Sequence, residues 1–209
     1  MSKKKIIKIC LVILTVIILI FLINLGRKVY VLNKYSDKCE EYLKITNFYV
    51  KKAQEEGMTN ELWRKDNLAL LKITLEDEER MIHFGEDYNW IIVNSKDGKT
   101  AVKMTKEGGG AEIQTFVPGT LSLDSFWNTI QLAFSSRITT EKINNIDCYK
   151  IFINKDWQMF INKKDFLVMR EINGSTDTGI IEYKLNEVKD EEVIMPNLAG
   201  YTIKDTTQN

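Results

Sequence analysis

The chain begins with a basic segment that leads into seventeen residues without a charge, Ile9 to Leu25. Fourteen of these residues are Ile, Leu, Val or Phe, and each favours insertion of a helix into a bilayer by about 0.3 to 0.6 kcal/mol. The run therefore favours insertion by on the order of 5 kcal/mol, and its length is near the lower limit of about 17 residues for a helix that crosses a membrane. We predict a transmembrane anchor over residues 9–28.

The charges on both sides of this run predict its orientation. Four lysines precede it, whereas only Arg27 and Lys28 follow it directly. The positive-inside rule then makes residues 1–8 a cytoplasmic N-terminus and places the C-terminal domain outside the cytoplasm of a single-pass protein of the cell membrane. The competing interpretation is a cleaved signal peptide, which has a shorter apolar core and small residues at its cleavage site. Residues 24–28 lack that pattern, and cleavage after Gly26 is the alternative.

The chain beyond residue 28 is mildly acidic. It holds 23 basic and 29 acidic residues, a net charge of −6. An acidic domain is a poor partner for the phosphates of nucleic acids, so we expect no nucleic-acid partner. The remaining 181 residues are enough for one domain with a hydrophobic core. Cys39 and Cys148 are interpreted either as buried thiols or as a disulfide pair.

A helical pattern follows the apolar run. From Leu32 to Gly57, apolar residues recur at spacings of three and four, which predicts one long helix that ends at Gly57. Residues 29–66 are therefore assigned to this juxtamembrane helix and its connection. Residues 67–209 form the remainder of a single extracytoplasmic domain.

From residue 67 onward, the apolar residues alternate as in antiparallel strands. Asp97-Gly98 and Asn173-Gly174 are typical of turns between such strands. The segment from Glu187 to Tyr201 is predicted to pass around a sheet edge. The fold class is α+β, with mostly antiparallel strands. The predicted strands are 67–73, 80–84, 88–93, 101–106, 112–117, 149–154, 157–162, 167–172 and 179–186.

One short helix with an aromatic stripe interrupts these strands. Its apolar residues have helical spacing, and Ser122 or Asp124 is predicted to cap its start. Aromatic residues on an amphipathic helix usually belong to the core. The alternative is that they line an apolar cavity, closed by the curved sheet and suited to an acyl chain. The candidate cavity residues are Trp90, Met104, Phe116, Phe126, Trp127, Ile130 and Phe134.

The sequence offers little for catalysis. Its single histidine, His83, lies in a predicted strand and is interpreted as a sheet residue, not a general base. One histidine cannot build a zinc site unaided, the cysteines lack CxxC spacing, and the serines lack a G-x-S-x-G motif. We therefore predict no enzymatic activity and no cofactor or metal. A hydrolase with two catalytic carboxylates is the alternative.

Three stretches carry a resemblance to a known family. They are Tyr88–Val93 with Lys99–Met104, Cys148–Ile151 with Met159–Lys164, and Tyr183–Val188 with the later Pro196 and Tyr201. With the order of helix, meander, aromatic helix and second meander, they resemble the LolA-like lipoprotein carrier superfamily, which includes RseB-like sensor modules. The resemblance covers roughly Lys34 to Ile203.

The resemblance implies a curved antiparallel sheet that forms an incomplete barrel, covered by helices, around an apolar cavity. In this cavity, carriers of the family hold lipoprotein acyl chains and sensors hold lipids or other signals. The anchor departs from soluble carriers and argues against transport to an outer membrane. We therefore expect a bacterial, membrane-anchored binding protein that holds a lipid or a lipoprotein acyl chain outside the cytoplasm. The alternative is an envelope sensor or assembly module that binds a protein partner and no small ligand.

Overall fold

A computed structural model describes residues 3–53, 57–106, 121, 123 and 125–207. This part of the chain is an α+β fold with a long N-terminal helix, α1 (Lys3–Tyr42), a short helix, α2 (Phe126–Ser135), and a 3₁₀ turn, Asp190–Glu192. The strands are β1 (Asn47–Ala53), β2 (Thr59–Lys65), β3 (Leu68–Thr74), β4 (Glu78–Phe84), β5 (Tyr88–Ser95), β6 (Gly98–Thr105), β7 (Arg137–Ile143), β8 (Ile146–Phe152), β9 (Trp157–Asn162), β10 (Val168–Asn173), β11 (Thr176–Asp177), β12 (Ile181–Leu185) and β13 (Thr202–Asp205).

Helix α1 contains the apolar run and, farther along, contributes residues to the hydrophobic core. It is long and apolar enough to cross a membrane, and the apolar side chains of the run are exposed in the isolated chain. Farther along the same helix, Val31, Leu32 and Tyr35 are completely buried. Since no break separates the two parts, the apolar run is joined to the core by continuous helix.

The prediction that this helix continues to Gly57 is wrong, because α1 ends at Tyr42 and β1 begins at Asn47. Phe48 and Tyr49 are both buried, on opposite faces of the sheet, and aromatic and β-branched residues favour strands. The spacing of three and four continued through this strand by coincidence. A strand with both faces covered lacks the alternation that would have identified it.

The strands form two sheets. The larger has eight strands in the order β12-β1-β2-β3-β4-β5-β6-β13, antiparallel except for the parallel pair β6 and β13. The smaller has five strands in the order β11-β10-β9-β8-β7. The two sheets approach each other where β10 contacts β12, and the described strands form no closed barrel.

The largest buried cluster lies between α1, α2 and the smaller sheet. Val31, Leu32 and Tyr35 of α1 pack there with Ala133 of α2. The smaller sheet contributes buried side chains from β8, β9 and β10, namely Ile151, Met159, Ile161 and Val168, and the edge strand β12 of the larger sheet contributes Ile181. The protein's own helix therefore occupies this face of the smaller sheet.

The C-terminal segment crosses one face of the larger sheet, from β12 at one edge to β13 at the other. Val188 and Val193 pack there against Tyr49, with Trp63 beside them. The segment from Glu187 to Tyr201, predicted to pass around a sheet edge, thus crosses a sheet face, and the chain pairs at an edge only beyond it, where β13 pairs with β6.

The strand prediction is confirmed for β3 to β6, β8 to β10 and β12. The turn at Asn173-Gly174 joins β10 to β11, with Gly174 in the left-handed region at a φ of 61°. The pattern missed β1, β2, β7, β11 and β13. The predicted strand 112–117 and Gly108-Gly109-Gly110 lie outside the described residues.

Candidate functional site

Helix α2 is the aromatic helix predicted from the sequence. Its first turn is capped by Ser125, whose Oγ accepts a hydrogen bond from the backbone N–H of Asn128 at 3.2 Å. The proposed caps Ser122 and Asp124 lie outside the described residues. On the inner face of the helix, Thr129 and Ala133 are buried. These two residues fix which side of α2 faces the domain.

Helix α2 is attached to α1 at the end of the apolar run. The ring of Phe134 lies 6.1 Å, between centroids, from the ring of Phe21. The Lys28 ammonium donates hydrogen bonds to the carbonyls of Ala133 at 3.1 Å and Ser136 at 2.5 Å. These carbonyls belong to the C-terminal end of α2, where helix carbonyls lack partners within the helix. Lys28 therefore caps α2 and holds it beside α1.

Three aromatic residues of α2 are exposed. The exposed fractions are 61% for Phe126, 75% for Trp127 and 57% for Phe134. The interpretation of these three residues as ordinary core is therefore wrong. With about 100° of rotation per residue, they share an arc of about 100° with the half-buried Ile130. We call Phe126, Trp127, Ile130 and Phe134 the aromatic face of α2.

The other predicted cavity residues are not brought together. Residues paired directly across antiparallel strands project from the same face of a sheet, and successive residues alternate. Through such pairs Trp90 shares the face of Tyr49, which is covered by the C-terminal segment. Met104 shares the opposite face with Phe48, which packs against α1. Trp90 and Met104 therefore cannot line the same cavity, and Phe116 lies outside the described residues.

Three open clefts within the described residues are lined by other side chains. The most apolar, of about 330 Å³, lies where the two sheets approach each other and is lined by Ile146, Leu167, Met169, Ile180, Ile181 and Tyr183, together with Asn144, Asn162, Asp165 and Glu182. A cleft of about 390 Å³ lies between Tyr49 and the charged residues 187–192. The third, of about 370 Å³, lies between the β3–β4 and β5–β6 turns. Their volumes are at the low end for ligand pockets.

The buried ionisable groups make structural contacts. His83 is buried, its Nε2 lies 3.0 Å from the carbonyl oxygen of Val193, and burial lowers the pKa of the imidazole. Glu171 accepts a hydrogen bond from Nε1 of Trp157 at 2.8 Å. The guanidinium of Arg170 forms a bidentate pair with Asp177 and holds the pKa of that carboxyl below its ordinary value. The first contact joins β4 to the C-terminal segment, the second joins β10 to β9, and the third joins β10 to β11.

The cysteines and carboxylates give no metal site within the described part of the chain. No group of three or more His, Cys, Asp or Glu side chains lies close enough there to hold a metal ion. The three cysteines are free thiols, with Cys39 half-buried on α1 and Cys148 buried in a separate cluster on the smaller sheet. The pairing of Cys39 with Cys148 is therefore not formed.

No protein-family model matches this chain, and no curated protein matches its sequence. The functional conclusion therefore depends on the structure. Sequence reasoning found the aromatic face but missed Phe21 and Lys28, which attach α2 to α1. The only sequence signal for Lys28 was its place just after the apolar run, which we interpreted as a topology charge alone.

Proposed function

We propose that the protein is a single-pass membrane protein that binds an apolar ligand, a lipid or a lipoprotein acyl chain, in a domain outside the cytoplasm. The N-terminus lies in the cytoplasm, and α1 is the anchor. The ligand contacts the aromatic face of α2. The observation that carries this proposal is the exposure of Phe126, Trp127 and Phe134 on a helix whose Phe134 ring lies beside Phe21 of the apolar run.

The position of the aromatic face supports an apolar ligand. Exposed aromatic residues that form one patch mark interaction sites more often than scattered ones do. Because Lys28 and Phe21 hold α2 beside the anchor, the patch lies at the end of the domain from which a lipid would arrive. A LolA-like curved sheet would supply the other wall of such a site. The two adjoining sheets, which are antiparallel except for the pair β6 and β13, are compatible with that architecture.

We expect a glutamate on the aromatic face to abolish lipid binding. Residues 25–209, which begin with the first residue of α1 that packs against the core, should retain lipid during purification. Trp127→Glu and Phe134→Glu should lose it, because a carboxylate at the acyl contact would have to be desolvated. Native mass spectrometry of the three proteins measures the bound lipid.

The matched control is Ile203→Glu on β13. Ile203 is exposed to 56%, close to the 57% of Phe134, but lies at the edge of the larger sheet. This variant should keep its lipid, and circular dichroism should show that all variants are folded. Absence of lipid from the unmutated fragment, or equal retention by the variants, would count against the proposal.

A second candidate is an envelope sensor or assembly module that binds a protein partner. It is favoured by one observation, the packing of α1 against the smaller sheet, where Leu32 and Tyr35 fill space that a ligand would need. Crosslinking of the membrane-bound protein to one specific partner, without lipid in the isolated domain, would support this candidate instead.

A further inference from the structure

We propose that α2 lies in the outer leaflet of the bilayer crossed by α1, with its aromatic face among the acyl chains. This inference rests on one part of the proposed function, namely that α1 is the membrane anchor. It goes further, because it makes the bilayer itself the partner of α2. A bound ligand would then reach the aromatic face without passing through water.

The contact between Phe134 and Phe21 sets the depth of α2. Phe21 lies four residues before Leu25, the last residue of the apolar run, which is about 6 Å along the axis at ~1.5 Å per residue. If the run occupies the hydrocarbon, the ring of Phe134, 6.1 Å away from that of Phe21, lies there too. A depth of about 5 to 10 Å is typical of helices that lie in a membrane interface.

The backbone ends of α2 are suited to a medium that contains little water. Ser125 satisfies a backbone N–H at the start of the helix, and Lys28 satisfies two carbonyls at its end. Unpaired backbone groups are costly in lipid, so both caps lower the cost of immersion. Lys28 also reaches the headgroup level, as lysines at the ends of membrane helices do.

The side chains of α2 divide in the manner of an interfacial helix. Phe126–Ser135 contains no charged residue, although 28% of the chain is charged. Asn128, Gln131 and Ser135 are exposed on the side next to the aromatic face, where they would meet headgroups and water. Tyr30, exposed on α1 two residues beyond Lys28, matches the preference of tyrosine and tryptophan for this level.

Quenching by brominated lipids tests this placement in the full chain. The protein is reconstituted into phosphatidylcholine vesicles with either ordinary or 6,7-dibromo acyl chains, and tryptophan emission is compared between wild type and Trp127→Phe. We expect bromine to quench part of the wild-type emission and the substitution to remove that quenched part, because Trp63, Trp90 and Trp157 lie in the sheets. Equal fractional quenching of both proteins would overturn the proposal.

A pair of neighbouring cysteine variants provides an independent readout. Trp127 and Asn128 are both exposed in the isolated chain. In vesicles, Asn128→Cys should react with a water-soluble maleimide, whereas Trp127→Cys should be protected and become reactive in denaturant. Equal reactivity of the two thiols would contradict insertion and would favour an aqueous partner. Quenching of Trp127 in vesicles, without lipid retained by residues 25–209, would reject only the bound ligand of the proposed function. Lipid retained by residues 25–209, without quenching of Trp127, would reject only the insertion of α2.

Discussion

We expect Leu32→Ala to lower the free energy of unfolding by about 2 to 5 kcal/mol, the usual cost of truncating a buried leucine. Leu32 is completely buried in the cluster formed by α1, α2 and the smaller sheet. For a domain of this size, each kcal/mol lowers the melting temperature by roughly 2 to 4 °C. Thermal unfolding of the full chain in detergent, followed by near-ultraviolet circular dichroism, measures the change.

Glu40→Ala is the control on the same helix. Glu40 is exposed, and alanine is at least as good a helix former, so stability should change by no more than about 0.5 kcal/mol. Equal stability of Leu32→Ala and Glu40→Ala would show that the outer part of α1 is not part of the core. The anchor and the domain would then be joined by a free helix.

We expect Gly179→Ala to destabilise the protein by about 3 kcal/mol or more. Gly179 has a φ of 59°, and a Cβ added there would lie 1.5 Å from the carbonyl oxygen of Ala53. The left-handed conformation costs a residue with a side chain about 1 to 2 kcal/mol, and the collision with the backbone of β1 adds a cost of overpacking. The same thermal measurement compares the variant with wild type.

Gly174→Ala separates these two costs. Gly174 has nearly the same φ, 61°, but an added Cβ would meet nothing within 4 Å. We expect this variant to lose only the conformational part, about 1 to 2 kcal/mol. If both variants lowered the free energy of unfolding equally, the close approach of Gly179 to Ala53 would be contradicted. The path of the chain between β11 and β12, which passes against β1 at Gly179, would then be wrong as well.

The parts of the fold that the sequence predicted were those with a strong local signal. The apolar run, α2 and the strands β3 to β6 have clear periodicity or composition, and each was found. Strand β1 was misread as helix because Phe48 and Tyr49 are buried on opposite faces, which hides the alternation. The two-residue β11, which pairs with its neighbour β10, is too short to show a period. The exposed β13 is defined by pairing with the distant β6, which no local pattern contains.

The candidate site was predicted in composition but not in geometry. The aromatic residues of α2 were identified from their spacing, but spacing does not show which face of a helix the protein covers. The structure buries Thr129 and Ala133 and leaves the aromatic face exposed. Trp90 and Met104 were both assigned to the cavity as apolar candidates, whereas the strand register places them on opposite faces of the sheet.

In the proposed function, α1 has two connected roles. Its apolar run is long enough to cross a membrane, and its outer part, without an intervening linker, contributes to the core of the domain. As the anchor, α1 would hold the domain close to the bilayer, with α2 beside the apolar run. A domain fixed in this way would be a stationary receptor for ligands or partners at the membrane surface.

Labelling of single introduced cysteines from outside the cell tests this account most directly. Lys164 is exposed in the turn between β9 and β10, and Ser2 precedes the apolar run. An impermeant maleimide should label Lys164→Cys in intact cells, whereas it should label Ser2→Cys only after lysis. The labelled protein should be a membrane-bound chain that retains its N-terminal residues. The wild-type cysteines give the background. A soluble product that has lost residues 1–26, or labelling of Ser2→Cys without lysis, would contradict the account.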